Sequence, residues 1–141
     1  MVDACVFGLD GPYDVKVQTM RCTAYACRTT FGPNFYTDNG SKINTASIAD
    51  VKEVLFISTK RGFTVNYLRY HTQLEFRAFV SGRGIEDVYS EVFGASFETH
   101  TRFRRSHADA LMYWSALNEF QVLGIHKDSF PAASLSRVLF L

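Results

Sequence analysis

The chain has 141 residues, a formal net charge of +1, 47% apolar and 15% aromatic residues. That length suits one domain with an ordinary core, and thirteen Phe with seven Tyr exclude a disordered polar chain. Near-neutral charge excludes a uniformly basic nucleic-acid coat but leaves room for a local basic patch.

No apolar run reaches the roughly 18–20 residues that cross a bilayer. The N-terminus MVDACVFGLDGPY lacks the basic and apolar regions of a secretion signal. No membrane partner is therefore expected. Cys5, Cys22 and Cys27 are an odd set without framework spacing, which points to reduced thiols in an intracellular, reducing compartment. Cys22 and Cys27 have no second Cys/His pair at zinc-ligand spacing, so buried thiols are the ordinary reading.

Along the chain, residues 4–9 read as a strand ended by the turn Asp10-Gly11-Pro12. Tyr13 to Phe31 alternate in part and predict one strand, or two with a bulge near Met20–Arg21, stopped by Gly32-Pro33-Asn34. A polar loop over 32–45 holds Asp38-Asn39-Gly40. A helix is expected next, capped by Thr45 or Ser47 with Asp50 in its first turn. Ile48, Val51, Val54 and Leu55 share its apolar face, and it ends by Thr59-Lys60-Arg61-Gly62.

Residues 63–70 and 73–81 then predict a hairpin about His71-Thr72, with Leu74, Phe76, Ala78 and Val80 on one face of the second strand. After Ser81-Gly82-Arg83-Gly84, a helix is expected over 85–93, with Gly94 at its end. A strand over 95–103 leads to a helix capped by Ser106 and running from His107 to about Phe120, with Ala110, Leu111, Trp114 and Leu117 inward. The tail ends in Val138-Leu139-Phe140-Leu141, which is expected to pack on the body or a partner.

This order predicts an α+β fold: one domain over residues 1–141, an antiparallel sheet with helices mainly on one face, of ferredoxin-like or replication-initiator-like type.

The second of those types comes from a resemblance. Gly94-Ala95-Ser96-Phe97-Glu98 is similar to the Gly-Ala-x-x-Glu strand of rolling-circle replication initiator domains of circular single-stranded DNA viruses, the HUH endonuclease superfamily. The segment from Ser106 to Tyr113 resembles the cap-to-tyrosine segment that follows it there. The resemblance implies a DNA-nicking enzyme, with Tyr113 as nucleophile and a divalent metal held by a His-x-Gln such as His71-Thr72-Gln73. Several residues depart from that pattern. Glu75 and Arg77 fall on the metal-ligand positions in the best-spaced register, and the strand before His71 offers no acidic third ligand. Ala116 stands where the family has Lys.

Read from the residues, the sharpest signal is the basic stretch ETHTRFRRSH. Arg102, Arg104 and Arg105 match phosphate geometry, Phe103 could stack on a base, and His100 and His107 lie close by. A solvated charged turn is the ordinary alternative. A second patch gathers Lys60-Arg61, Arg69, Arg77 and Arg83 on the sheet, with Glu75 interrupting it.

The leading expectation is a small viral nucleic-acid-binding protein, for single-stranded DNA or RNA, without cleavage chemistry and without a cofactor. A metal-dependent nicking enzyme using His71, Gln73 and Tyr113 is the second expectation. The third is a protein-interaction or self-assembling module, favoured by abundant aromatics, the apolar tail and neutral charge.

Overall fold

The computed structural model describes residues 1–24, 26–27, 29–38, 40–45, 47–94, 100–124 and 129–131. Strand β1 (Val2–Gly8) forms a hairpin with β2 (Gly11–Val17), pairing Val2 with Val17 through to Gly8 with Gly11. Gly11 closes the turn at φ 116°, a conformation that side chains resist. The chain then leaves to build a second sheet from β3 (Met20–Arg21), β4 (Thr30–Phe31), β5 (Phe35–Asp38) and β6 (Ser41–Thr45), each antiparallel to the next.

A single 3₁₀ turn at Ile48–Asp50 brings the chain back to β7 (Val54–Phe56) and β8 (Arg61–Thr64). The first sheet has the order β2-β1-β8-β7, with β8 parallel to β1 and antiparallel to β7. The excursion therefore departs from one edge of this sheet and returns at the other. Helices α1 (Val65–Ala78), α2 (Gly82–Phe93) and α3 (His100–Val122) follow. Then β9 (Ser129–Pro131) joins the second sheet beside β6.

The α+β class of the sequence is what the chain adopts, with α1 and α3 packed against the first sheet. Individual elements differ. The hairpin expected over 63–81 is helix α1, because Thr64 accepts a hydrogen bond from the Tyr67 N–H at 3.1 Å and no Gly or Pro interrupts the next turns. The helix expected from 48 to 55 is a turn followed by edge strand β7; pairing of Val54 with Thr64 outweighs the helical spacing of its apolar residues. The loop expected over 32–45 is the hairpin β5–β6, with Gly40 at φ 80°.

The strand over 13–31 stops at Val17 and resumes in the other sheet. Of the strand expected over 95–103, residues 95–99 lie outside the described residues, and from His100 onward the chain is helical. Ser106, expected as a cap, is buried within α3. The helix expected over 85–93 begins earlier, at Gly82, where the Ser81 hydroxyl accepts from the Gly84 N–H at 3.0 Å. The final Val138–Leu141 lies outside the described residues.

The core joins Phe7, Leu55 and Phe63 of the first sheet to Tyr67 and Leu68 of α1, Tyr89 of α2, and Phe103, Trp114 and Leu117 of α3. Asn34, at the entry to β5, ties the two sheets together. Its amide donates to the Phe56 carbonyl at 2.7 Å and accepts from the Phe56 N–H at 2.8 Å. Tyr113 of α3 meets the same junction. Its hydroxyl lies 3.2 Å from the Asn34 carbonyl and 3.0 Å from that of Thr45, donating there, and accepts from the Asn34 amide at 3.4 Å. Both side chains are buried.

Asn34→Ala strands two backbone groups of Phe56 and should destabilise the fold by roughly 2–4 kcal/mol, with Tyr113→Phe costing about 1–2 kcal/mol. Urea unfolding of both variants checks this; parental midpoints would show that the sheets do not depend on this junction.

Candidate functional site

The expected basic cluster does not form one surface. On a helix, Phe103, Arg104 and Arg105 point in three directions about 100° apart. Phe103 faces the core, only 2% exposed, stacked on Tyr89 with centroids 5.4 Å apart and edge-on to Phe7 at 5.0 Å. It cannot stack on a base. Arg104 turns to α2, where a nitrogen binds the Asp87 carboxylate at 2.7 Å and another approaches Glu86 at 3.8 Å. His107 is fully buried, its Nδ1 3.2 Å from Glu86 Oε1. Only Arg105 of these described side chains is exposed. His100 and Arg102 stand on α3, and their side chains lie outside what the structure describes.

His71 and Gln73, expected to share a strand face as metal ligands, lie on helix α1 instead. Residues two apart on a helix diverge by about 200°. Gln73 accepts a hydrogen bond from Arg77 Nε at 2.7 Å, while His71 turns inward with its ring 4.1 Å from that of Tyr67. No group of three or more His, Cys, Asp or Glu among the described residues is placed to hold a metal ion. Tyr113, expected as nucleophile, is 2% exposed, and its hydroxyl is committed to the sheet junction, out of reach of a phosphodiester.

The structure assembles a polar core cluster that the sequence reading missed. Tyr67, His71 and His107 are in mutual ring contact between α1 and α3, with Glu86 of α2 beyond His107. Tyr67 Oη, His71 Nδ1 and His107 Nε2 are buried with no hydrogen-bond partner among the described residues. Burial pushes the His71 imidazole down to about 4. Burial, and then the neighbouring His71, push His107 down to about 3. Burial raises the Glu86 carboxyl, against the pull of Arg104.

Two surface features bear on partners. One is a cleft of about 460 Å³ lined by Ile57, Ser58, Lys60, Arg61, Arg105, Ser106 and Asp109. It brings Lys60-Arg61, from one expected basic patch, together with Arg105 from the other. Burial raises the Asp109 carboxyl, and Lys42 and Arg105 act in the opposite direction. The other is an apolar groove of about 410 Å³ between α1 and α2, bordered by Leu9, Tyr70, Leu74, Ile85, Val88 and Val92 among others.

The two core histidines make stability pH-dependent. Both titrate lower when folded than the ordinary 6.5 of the unfolded chain, so the unfolded state binds more protons in that interval. Stability is complete above about pH 6.5 and falls as pH drops toward 4. Glu86, protonating more readily when folded, offsets part of the loss. Between pH 7 and 5 the fold should lose about 2 kcal/mol through the sealed His107 and less through the partly solvated His71, so His71→Phe should remove the smaller part of the loss. Urea midpoints at both pH values test it; a pH-independent midpoint contradicts buried neutral rings.

No helix among the described residues is long and apolar enough to cross a membrane. No family model matches the chain, and neither a curated protein nor a solved structure matches it.

Proposed function

We propose that the chain is a protein-interaction module that pairs with a second copy of itself through the α1–α2 face. One observation carries this reading: large apolar side chains are held out of the core on one helical hairpin. Tyr70 of α1 is 55% exposed and Val88 and Val92 of α2 each 64%, and all three line the apolar groove. Burying such side chains contributes about 25 cal/mol per Å² removed from water, and clustered exposure of this kind marks an association surface.

Phe79 adds weight to this reading. It occupies the position after α1 at φ 54° and ψ 29°, a left-handed conformation that glycine adopts freely and that costs a side-chain-bearing residue about 1–2 kcal/mol. An exposed aromatic kept at a strained position gains nothing for the monomer.

A second copy fits the face because the face carries both a ridge and a groove. Val88 and Val92, one turn apart on α2, stand beside the groove and line it. A two-fold mate could seat its ridge in this groove and receive this ridge in its own. Exposed charges next in sequence to the groove residues have both signs: Arg69 precedes Tyr70, Asp10 follows Leu9, and Glu91 precedes Val92. Opposed two-fold copies need such a mixture.

The test is light scattering across protein concentration. The parent should pass from monomer to dimer, while Val88→Lys with Val92→Lys stays monomeric with an unchanged circular dichroism spectrum. A parent that remains monomeric at several hundred micromolar overturns the reading. In the same assay, Phe79→Gly should raise stability by about 1 kcal/mol and weaken association several-fold. Unchanged association would place Phe79 outside the interface.

A second reading has its own observation. The cleft that holds Lys60 and Arg105, with the Ser58 hydroxyl in its lining and Asp109 as the opposing charge, suits a phosphate-bearing ligand such as a nucleic-acid strand. This is the partner class that the resemblance to replication initiators implies. Lys60→Ala with Arg105→Ala should lower affinity for a single-stranded oligonucleotide several-fold and flatten its salt dependence. A parent that binds no oligonucleotide at low salt removes this reading.

A further inference from the structure

The β3–β4 connection brings two thiols together. The Cys22 N–H donates to the Thr29 carbonyl at 2.9 Å, one step beyond the Arg21–Thr30 pair, so the ladder continues past the strands. The chain then turns back on itself, with the Cys27 N–H donating to the Ala24 carbonyl at 3.0 Å. These two bonds set Cys22 and Cys27 on the facing arms of one short loop, where each thiol influences the other's ionisation. Neither cysteine is in a disulfide, and both are partly open to solvent. Cys5, on β1, belongs to the other sheet.

We propose that Cys22 and Cys27 are a peroxide-sensitive thiol pair that closes to a reversible intramolecular disulfide. The local chemistry gives the two sulfurs different parts. Cys22, and then Thr29, hold the Cys27 thiol below the ordinary range, with desolvation and Asp38 opposing. Cys22 is held above it. Cys27 is therefore the attacking thiolate and Cys22 the resolving thiol.

In the first step the Cys27 thiolate attacks one oxygen of hydrogen peroxide. An S–O bond forms and the O–O bond breaks, giving a sulfenic acid and hydroxide, which takes the Cys22 thiol proton and becomes water. In the second step the Cys22 thiolate attacks the Cys27 sulfur. The S–S bond forms and the S–O bond breaks, and the departing hydroxide takes up the proton that Cys27 lost on ionising. Overall, two thiols and one peroxide give one disulfide and two waters. A pair on the facing arms of one short hydrogen-bonded loop needs side-chain rotation rather than strand rearrangement to reach the ~2.05 Å bond.

Trypsin offers a direct test, because cleavage after Arg21 and Arg28 releases a peptide, residues 22–28, that carries both thiols and excludes Cys5. The native full-length chain is treated with hydrogen peroxide, its remaining thiols are alkylated, and the digest is analysed by mass spectrometry. The peptide should be two hydrogens lighter and unalkylated, and a thiol reductant should restore both alkylation sites. Cys27→Ser should abolish the change and leave Cys22 alkylated; Cys5→Ser should not alter it. Two alkylated thiols at peroxide concentrations that already oxidise Cys5, or a disulfide joining two chains, would overturn the proposal. The readout is independent of oligonucleotide binding, and a chain-to-chain crosslink is told apart from the loop disulfide by mass.

Discussion

One carboxamide holds two sheets in register. Asn34 both donates to and accepts from the backbone of Phe56, so it behaves as an additional rung between β5 and β7, and the phenol of Tyr113 closes the same junction from α3. Backbone polar groups sealed between sheets need partners, since each one left unmatched costs about 1–3 kcal/mol. A side chain that imitates the peptide group supplies two at once. The hydrophobic contacts among Phe7, Phe63, Tyr67 and Phe103 give the core its bulk but do not specify where the second sheet sits. The Asn34 bonds do, and the long helix is aligned by the same residues.

This places the fold's main polar investments inside rather than on the surface. Tyr113, Phe103, Arg104 and His107 all carry chemistry that nucleic-acid or catalytic proteins use, and here they serve packing, internal hydrogen bonding or, for Arg104, internal ion pairing. Two other surface regions are of another kind: an apolar hairpin face and a small cleft lined by Lys60, Arg61, Arg105 and Asp109. The α1–α2 hairpin is the region in tension with its own local rules, with aromatic residues exposed and one of them forced left-handed. Such conflicts between local preference and final structure gather where a surface has work to do.

The class of fold was legible in the sequence, and so were the β1–β2 hairpin and most of α2, because Asp10-Gly11 and Ser81-Gly82 punctuate the chain. Residues 65–78 misled for a physical reason. Phe76, with Leu74 and Ala78, imitates strand alternation, and an exposed aromatic disguises the helical stripe of Tyr67, Leu68, His71 and Leu74. The Thr64 cap and the lack of turn chemistry at His71-Thr72 were the countervailing signals. The β5–β6 hairpin was announced by Asn39-Gly40 between alternating residues. The Asn34 junction, the Glu86–His107 contact and the meeting of Arg105 with Lys60 had no sequence signal, since each joins residues that only the tertiary fold brings together. Cys22 and Cys27 were visible as a spaced pair, but their placement on facing arms of one loop depends on the backbone turn between them.

The route taken by the chain between the edges of the first sheet has a consequence for how the molecule comes into being. The central parallel pair joins Cys5 to Arg61 and Phe7 to Phe63, segments separated by the whole excursion through β3 to β6. A ribosome must therefore deliver the N-terminal hairpin well before its central neighbour exists, and β1 waits with one flank unsatisfied. Closing so long a loop is entropically slow relative to local helix formation. During synthesis, this exposed flank is where misassembly between nascent chains would begin.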